Sequence, residues 1–508
     1  LKHFRTILPD WGLIAAVAAG AALGLAPLPY CSWLGWLGLI PLWLYLAGCE
    51  RPPAFRLGLL FGLVYHAIML RWLLGMHPLT WMGIPWWPSL ILVVFLWLFV
   101  SASQAWVAGV WAWLVFRSPL AGARRVVLAV ALWLGLHWLW GQGETAFPWD
   151  DLAQGQVGNP LVVQVASLGG SALIAALVVA VAGLIAEGWR DRRWGLPLTA
   201  AALLVLAHGW GVWRLSSSPA PAGPPLAVGV VQGNIPQTRK WKPEGFREAY
   251  RTYLEGYERL ARQGADLVLV PETAFPAVWP LPGVSERLVA RIQEHRTALL
   301  LGAFRRIDDK RLSTSLLAID PTGRTVGHYD KQHLVPLGEQ IPLKPYIGWL
   351  IRKLSPLQGD LQPGAADQIL QTPFGVLAGG ICFDSAFGEG FRRQVAAGAQ
   401  VLLTATNDAW FGPAMASEHH ALDTLRAVET GRWLVRASNN GTSATIDPRG
   451  RTVVITPWNA YAEYASPVIP LDEQTPYVRL GDWLTPLTAA LGFLALVSAR
   501  LQPTAGRS

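Results

Sequence analysis

Three stretches of this 508-residue chain end an apolar, strand-like run on a reactive side chain. Ala265-Asp-Leu-Val-Leu-Val breaks at Pro271, and Glu272 follows at once. Arg324–Tyr329 leads through Asp330 to Lys331, and Gly375–Ile381 delivers Cys382. Converging there, they would put a carboxylate, an ammonium and a thiol around one pocket, a set suited to nucleophilic catalysis. The thiol attacks only as thiolate. Glu272 can take its proton and later act as acid and base for the acceptor. Lys331 supplies positive charge where an oxyanion forms, a contribution of about 3–4 kcal/mol for one donor. The backbone N–H of Phe383 is a second donor candidate. Taken singly, each residue has a plain structural reading: Cys382 as a small buried hydrophobe, Glu272 as a turn residue, Lys331 as a surface charge. What joins them is their shared place at strand ends, where ligands collect in open α/β sheets.

The elements that must position these groups form one stretch of mixed character. Apolar β-type runs at 226–232, 266–270, 298–304, 313–319, 374–381 and 400–406 alternate with helical spacing at 243–262, 284–296, 386–397 and 417–434. That alternation predicts a layered α/β domain over residues 226–470. The Pro/Ser-rich segment 214–225 ahead of it reads as a linker.

The chain before the linker is of another kind. Residues 1–213 carry 20 of the 27 tryptophans but only 18 charged side chains, against 56 in the remainder. Charged residues make up 15% of the whole, well below the quarter or so usual for soluble chains. Disorder and an all-soluble enzyme are both excluded. A helix needs about 20 apolar residues to cross a bilayer. Seven stretches before residue 214 approach that, near 11–28, 33–49, 57–75, 88–116, 124–141, 161–187 and 194–213, and an eighth lies at 480–498. Lys2, Arg5, Arg51, Arg56, Arg117, Arg124, Arg125, Arg190, Arg192, Arg193, Arg500 and Arg507 all fall on one side of this arrangement. By the positive-inside rule both termini and the 499–508 tail are cytoplasmic, and the α/β domain lies on the far side. The first stretch reads as a retained span rather than a cleaved signal, since no Ala-x-Ala-like site stands out. The net charge of +8 divides evenly between the two parts, which reflects topology and a lipid surface rather than nucleic-acid binding. Three cysteines cannot build a disulfide framework; Cys31 and Cys49 fall at opposite ends of one span.

The blocks around the three reactive residues carry a resemblance. Pro271-Glu272-Thr273-Ala274, Tyr329-Asp-Lys331-Gln-His333-Leu-Val-Pro336-Leu-Gly338-Glu339 and Ile381-Cys382-Phe383-Asp384 resemble the Glu–Lys–Cys signature of the nitrilase, or carbon–nitrogen hydrolase, superfamily. The lysine block, with Gln232–Gln237, Asn407–Gly412, Arg426–Glu429 and Arg436–Ser443, is similar to its apolipoprotein N-acyltransferase branch. The resemblance implies an eight-helix membrane domain joined to an αββα sandwich. It also implies a two-step reaction without cofactor or metal. Cys382 would take a fatty acyl chain from a glycerophospholipid as a thioester, and the α-amine of the diacylglyceryl-cysteine of an apolipoprotein would accept it. Glu339 matches the position that supports the lysine and the base. Asp384 stands where the family commonly has Glu, which points to a supporting role, and Leu337 replaces a common aromatic. A monomer in a bacterial inner membrane, with the catalytic domain periplasmic, is the corresponding expectation.

Four tryptophans are candidates for lipid contact: Trp241, Trp279 and Trp410, read as lying in loops beside the motifs, and Trp349. The last lies in Pro342–Leu357, whose apolar and cationic residues suit either an interfacial arm or a core helix. The adjacent His419 and His420 read as helix polar residues, and no His/Cys cluster has metal-ligand spacing. Two other functions remain in view. One is a membrane-tethered amidase using water as acceptor, against which the lysine block and the eight spans argue. The other is a lipid-binding or transport protein with an inactive domain, against which the intact Glu–Lys–Cys set argues.

Overall fold

The computed structural model describes residues 11–50, 52–149, 151–336, 338–341 and 360–501. Leu337 and the Pro342–Leu357 segment with Trp349 therefore lie outside the described residues.

The apolar first part is helical: α1 (Trp11–Leu25), α2 (Leu34–Leu37), α3 (Ile40–Gly48), α4 (Ala54–Met69), α5 (Trp86–Arg117), α6 (Ala123–Trp140), α7 (Ala166–Asp191) and α8 (Gly195–Ser216). Among the described residues four helical stretches are long and apolar enough to cross a membrane: Trp86–Arg117, Ala123–Trp140, Val162–Asp191 and Gly195–Ser216. The other apolar helices are shorter than the stretches expected from sequence. The 33–49 stretch is divided between α2 and α3, and 57–75 leaves the α-helix at Met69 and continues as a 3-10 turn over Arg71–Met76. Trp43, Phe61, Trp111, Val178 and Ala182 fill the core between these helices. At one end Glu187 is fully buried, yet it accepts from Arg125 (2.8 Å), Trp43 Nε1 (2.9 Å) and the Gly122 amide (2.7 Å). A buried carboxylate is tolerated only when so paired.

Helix α7 is broken inside its length. Gly170 has φ +68°, a region open to glycine at no cost, and a Cβ there would meet the Tyr477 ring at 2.7 Å. The helix restarts at Ser171, whose amide is capped at 2.8 Å by Glu429 of the second part of the chain.

That second part contains, in order, β1 (Leu226–Gln232), α9 (Gln237–Lys240), α10 (Pro243–Arg262), β2 (Leu267–Leu269), β3 (Val278–Trp279), α11 (Ser285–His295), β4 (Ala298–Arg306), β5 (Arg311–Ile319), β6 (Thr325–Asp330), β7 (Asp360–Leu361), β8 (Leu370–Thr372), β9 (Gly375–Ile381), α12 (Gly388–Ala396), β10 (Leu402–Thr406), α13 (Pro413–Thr430), β11 (Leu434–Ser438), β12 (Ala444–Ile446), β13 (Thr452–Ile455), β14 (Ala462–Val468), α14 (Pro476–Leu480) and α15 (Leu484–Leu501). Among the described residues the strands make two sheets. One runs β14-β1-β2-β4-β5-β6, with β3 paired to β4 and β7 to β5, and the other β13-β12-β11-β10-β9-β8.

The period-2 alternation of strands decides the layering. In β4, Leu300 faces the second sheet and shares a core with Leu403, Ala405, Val435 and Ala437. Its neighbours Leu299 and Leu301 face α10 and α11, beside Tyr253, Tyr257 and Ile292. In the second sheet Leu402 and Leu434 turn outward onto Phe391, Val395 and Ala427 of α12 and α13. The result is four layers, helix–sheet–sheet–helix. Each buried Leu or Val contributes about 1.5–3 kcal/mol.

The helix expected at 417–434 sits earlier, at Pro413–Thr430. Pro413 occupies the first turn, where its missing N–H is harmless. Gly431, at φ +65°, ends the helix and frees Leu434 to begin β11.

Candidate active site

Glu272, Lys331 and Cys382 come from the ends of strands in both sheets, so the site lies between the two layers at one end of the sandwich. Glu272 follows β2 through Val270 and Pro271 and is 7% exposed. The chain turns sharply there: Thr273 has φ +44°, uncommon for a β-branched residue. Gly302 of β4 lies against this corner, where a Cβ would stand 1.9 Å from the Pro271 carbonyl oxygen.

Lys331 leaves β6 with its amide bonded to the Thr314 carbonyl at 2.8 Å. Strand alternation sends its neighbour Asp330 the other way, onto Arg305 Nε at 3.0 Å. Lys331 Nζ is 3.0 Å from Glu272 Oε1 and 2.8 Å from Glu339 Oε1. Burial opposes the lysine's charge, but the two carboxylates outweigh it and hold its pKa well above the usual value. Burial pushes the Glu339 carboxyl up, and the lysine pulls against that. Glu339 is also tied to the loop by the Val335 amide, at 2.9 Å from Oε2.

Cys382 opens a 3-10 turn, Cys382–Ala386, with φ +49° and 9% exposure. Burial and the nearby charge of Glu272 push its thiol well above its ordinary pKa, while Lys331 and the Thr406 hydroxyl act the other way. The resting thiol is therefore neutral at physiological pH. The Phe383 amide follows it in the same turn.

Asp384 fastens the thiol turn to the lysine loop. Its Oδ1 accepts from the His333 amide (2.8 Å) and lies 2.9 Å from His333 Nδ1. Its Oδ2 accepts from the Ile381 amide (3.0 Å), the Tyr329 hydroxyl (3.1 Å) and the Gln332 amide (3.4 Å). The His333 ring lies flat on Phe387, with centroids 3.6 Å apart.

The remaining motif blocks meet behind the triad. Asn439 Nδ2 donates to Asn407 Oδ1 (3.0 Å) and to the Ile235 carbonyl (2.8 Å), while Asn407 Nδ2 donates to Gln237 Oε1 (3.2 Å). Gln232 Oε1 accepts from the Ser443 hydroxyl at 2.8 Å. His419 and His420 lie in α13, and His419 is buried against Asp408, Nδ1 to Oδ1 3.1 Å. Among the described residues no three His, Cys, Asp or Glu side chains converge in a way that would hold a metal ion.

The candidate lipid-contact tryptophans separate. Trp410 packs on Trp81 from the apolar part of the chain, with centroids 4.9 Å apart. Trp241 is 42% exposed, 6.2 Å from the Phe304 ring. Trp279 lies in β3 rather than in a loop and is only 9% exposed, because Phe275 and the α11 layer cover it. An apolar cluster runs from Phe383 through Trp149, Trp72 and Leu70 to Trp97 of α5, joining the residue after the thiol to the membrane-type helices.

Sequence reasoning missed Lys240. It is 1% exposed, and its Nζ donates to the Glu272 carbonyl (3.2 Å) and to Thr273 Oγ1 (2.8 Å). The available signal was its position, three residues past the Gln232–Gln237 block. His333 was also missed, although it lies inside the lysine block.

Residues 227–466 match the carbon-nitrogen hydrolase family, and residues 19–184 match the apolipoprotein N-acyltransferase N-terminal domain. The chain is 57% identical over 492 residues to the apolipoprotein N-acyltransferase of Gloeobacter violaceus, covering 96% of this chain and 94% of that protein. It is 39% identical to the one from Nostoc sp., over 93% and 96% of the two chains. With the one from Chromobacterium violaceum the identity is 34%, over 96% and 93%.

Proposed function

The chain belongs to the apolipoprotein N-acyltransferase family, and from that premise we propose that it transfers a fatty acyl chain from a glycerophospholipid to the α-amine of diacylated apolipoproteins, with Cys382 as the carrier. The observation that carries this reading is the buried Lys331 ammonium, held between Glu272 and Glu339 beside a neutral Cys382 thiol.

In the first half-reaction Cys382 Sγ attacks the ester carbonyl carbon while Glu272 takes the thiol proton. The charge gathering on the carbonyl oxygen is met by Lys331 Nζ and the Phe383 amide, donors already in place before reaction. Collapse breaks the ester C–O bond. The protonated Glu272 returns its proton to the departing lysophospholipid oxygen, leaving a thioester on Cys382. In the second half-reaction the acceptor amine attacks the thioester, Glu272 takes an amine proton, and the thiol is regenerated as the amide forms. Thioester to amide is downhill, so the step draws on no nucleotide. Glu339 and Asp384 act through Lys331 and the thiol turn. The cluster from Phe383 to Trp97 supports entry of the acyl chain from the membrane side, with Trp410 and Trp241 as further lipid contacts.

The reading extends to topology. Eight spans, both termini cytoplasmic and the sandwich periplasmic are supported by the arginine-rich loops on one side and by the four shorter apolar helices Trp11–Leu25, Leu34–Gly48, Ala54–Met69 and Leu484–Arg500. The enzyme acts as a monomer in the bacterial inner membrane.

The test is mass spectrometry of the purified protein after incubation with phosphatidylethanolamine alone. An acyl adduct on Cys382 is expected, discharged on adding a diacylated lipopeptide and absent from Cys382→Ala. An adduct on another residue, a fully active Cys382→Ala variant, or discharge to water in preference to the lipopeptide would refute it.

A further inference from the structure

Lys240 is a charged group the mechanism above leaves unused. Burying an ammonium is costly unless it is compensated, and an apolar side chain would fill the same space without that penalty. Its two hydrogen bonds are to neutral oxygens, the Glu272 carbonyl and Thr273 Oγ1, and among the described residues no carboxylate pairs with it directly. Burial brings its pKa down to about 8, with Glu272 and Cys382 acting in the opposite direction. Both acceptors sit on the corner that aims Glu272, and that corner is strained, with Thr273 at φ +44°. Strained backbone persists only where surrounding contacts over-determine it.

We propose that Lys240 is a positioning residue for the general base: its ammonium clamps the Glu272–Thr273 corner so that the carboxylate faces Lys331 and Cys382, and it adds a second cation that favours the thiolate as it forms. The inference rests on the thioester reading of the site. The titratable groups facing Lys240 are Glu272 and Cys382, with Lys331 and Glu339 behind them. Arg239 and Lys242 on its own segment are exposed, and the Trp241 ring lies 5.6 Å from Nζ. Because the Lys331 and Cys382 pKa values are both pushed well above their usual range, loss of charge near pH 8 belongs to Lys240.

The experiment follows acylation alone, since the acceptor's own amine would titrate in the same range. Full-length protein in detergent micelles is mixed with phosphatidylethanolamine, and the single-turnover rate of adduct formation is read from pH 6 to 10. The wild-type rate is expected to fall above about pH 8. Lys240→Met should lose roughly 10²-fold in rate, with the half-saturating phospholipid concentration within about twofold, and should lack the alkaline fall. Lys240→Arg should recover part of the rate and hold it to pH 10, because a guanidinium does not titrate there. A Lys240→Arg profile that still falls near pH 8, or a Lys240→Met rate within about twofold of wild type, overturns the proposal. Should the methionine variant not fold, the arginine profile decides alone. An adduct persisting in Cys382→Ala would sink the thioester reading itself, whereas its loss there leaves that reading standing even if Lys240 fails.

Discussion

Replacing Asp384 by Asn keeps the shape of the side chain and removes one acceptor oxygen. The carboxylate receives five groups: the His333 amide and ring on Oδ1, and the Ile381 amide, Tyr329 hydroxyl and Gln332 amide on Oδ2. An asparagine must point its NH₂ at one of these sets. Toward Ile381 and Gln332 it meets two amides that cannot accept. Toward His333 it meets one amide and a ring nitrogen that accepts in the other tautomer. The second choice is cheaper and orphans the His333 N–H, at about 1–3 kcal/mol, with more lost because the remaining bonds cease to be charge-assisted. A total near 2–3 kcal/mol follows, roughly 4–12 °C in melting temperature for a domain of this size. The catalytic effect should be larger than the thermal one. The same carboxylate joins the Cys382 turn to the Lys331 loop, and a shift of about 1 Å between reacting groups costs on the order of 10²-fold. Thermal unfolding and the single-turnover acylation rate measure the two effects. If Asp384→Asn melted within about 1 °C of the parent and acylated within twofold, the carboxylate would not be the tie that its hydrogen bonds describe.

Two other variants probe neighbouring parts of the same machinery. Arg426→Met removes the partner of Glu429, which lies 2.9 Å from Arg426 Nη2, also caps Ser171 of α7, and whose carboxyl burial already pushes toward protonation. Breaking a buried pair from one side costs about 3–5 kcal/mol, and the loss in melting temperature should shrink as pH falls and Glu429 takes up a proton. Lys331→Met should slow acylation by roughly 10²–10³-fold. A rate within tenfold of wild type would contradict the oxyanion role.

Some of the site was legible because its chemistry is local. Pro271 before Glu272 and the glycine-rich run before Cys382 place each residue at a strand end, which needs only the period of two and a breaker. The helix at 243–262 was equally plain: Pro243 starts it, and Ala249, Tyr253, Tyr257 and Leu260 repeat at helical spacing and end up buried. The end of α13 was not legible, since apolar spacing continues past Gly431 and only the positive φ there stops the helix. Trp279 was misplaced for a related reason. Its cover comes from α11 and Phe275, and nothing near it in sequence marks a two-residue strand.

The amino-acid sequence alone determined the division into an apolar, arginine-punctuated part and an α/β part, and the residue types able to carry acyl transfer. Both are properties of composition and short-range period, which survive without any knowledge of contacts. Tertiary structure alone decided which sheet supplies each group, that Lys331 is shared by Glu272 and Glu339, that Asp384 gathers donors from two loops, and that Lys240 lies under the Glu272 corner. Most of these facts depend on pairs 32 to 59 residues apart. A side chain's charge state and purpose there are set by burial and by partners that no local pattern specifies.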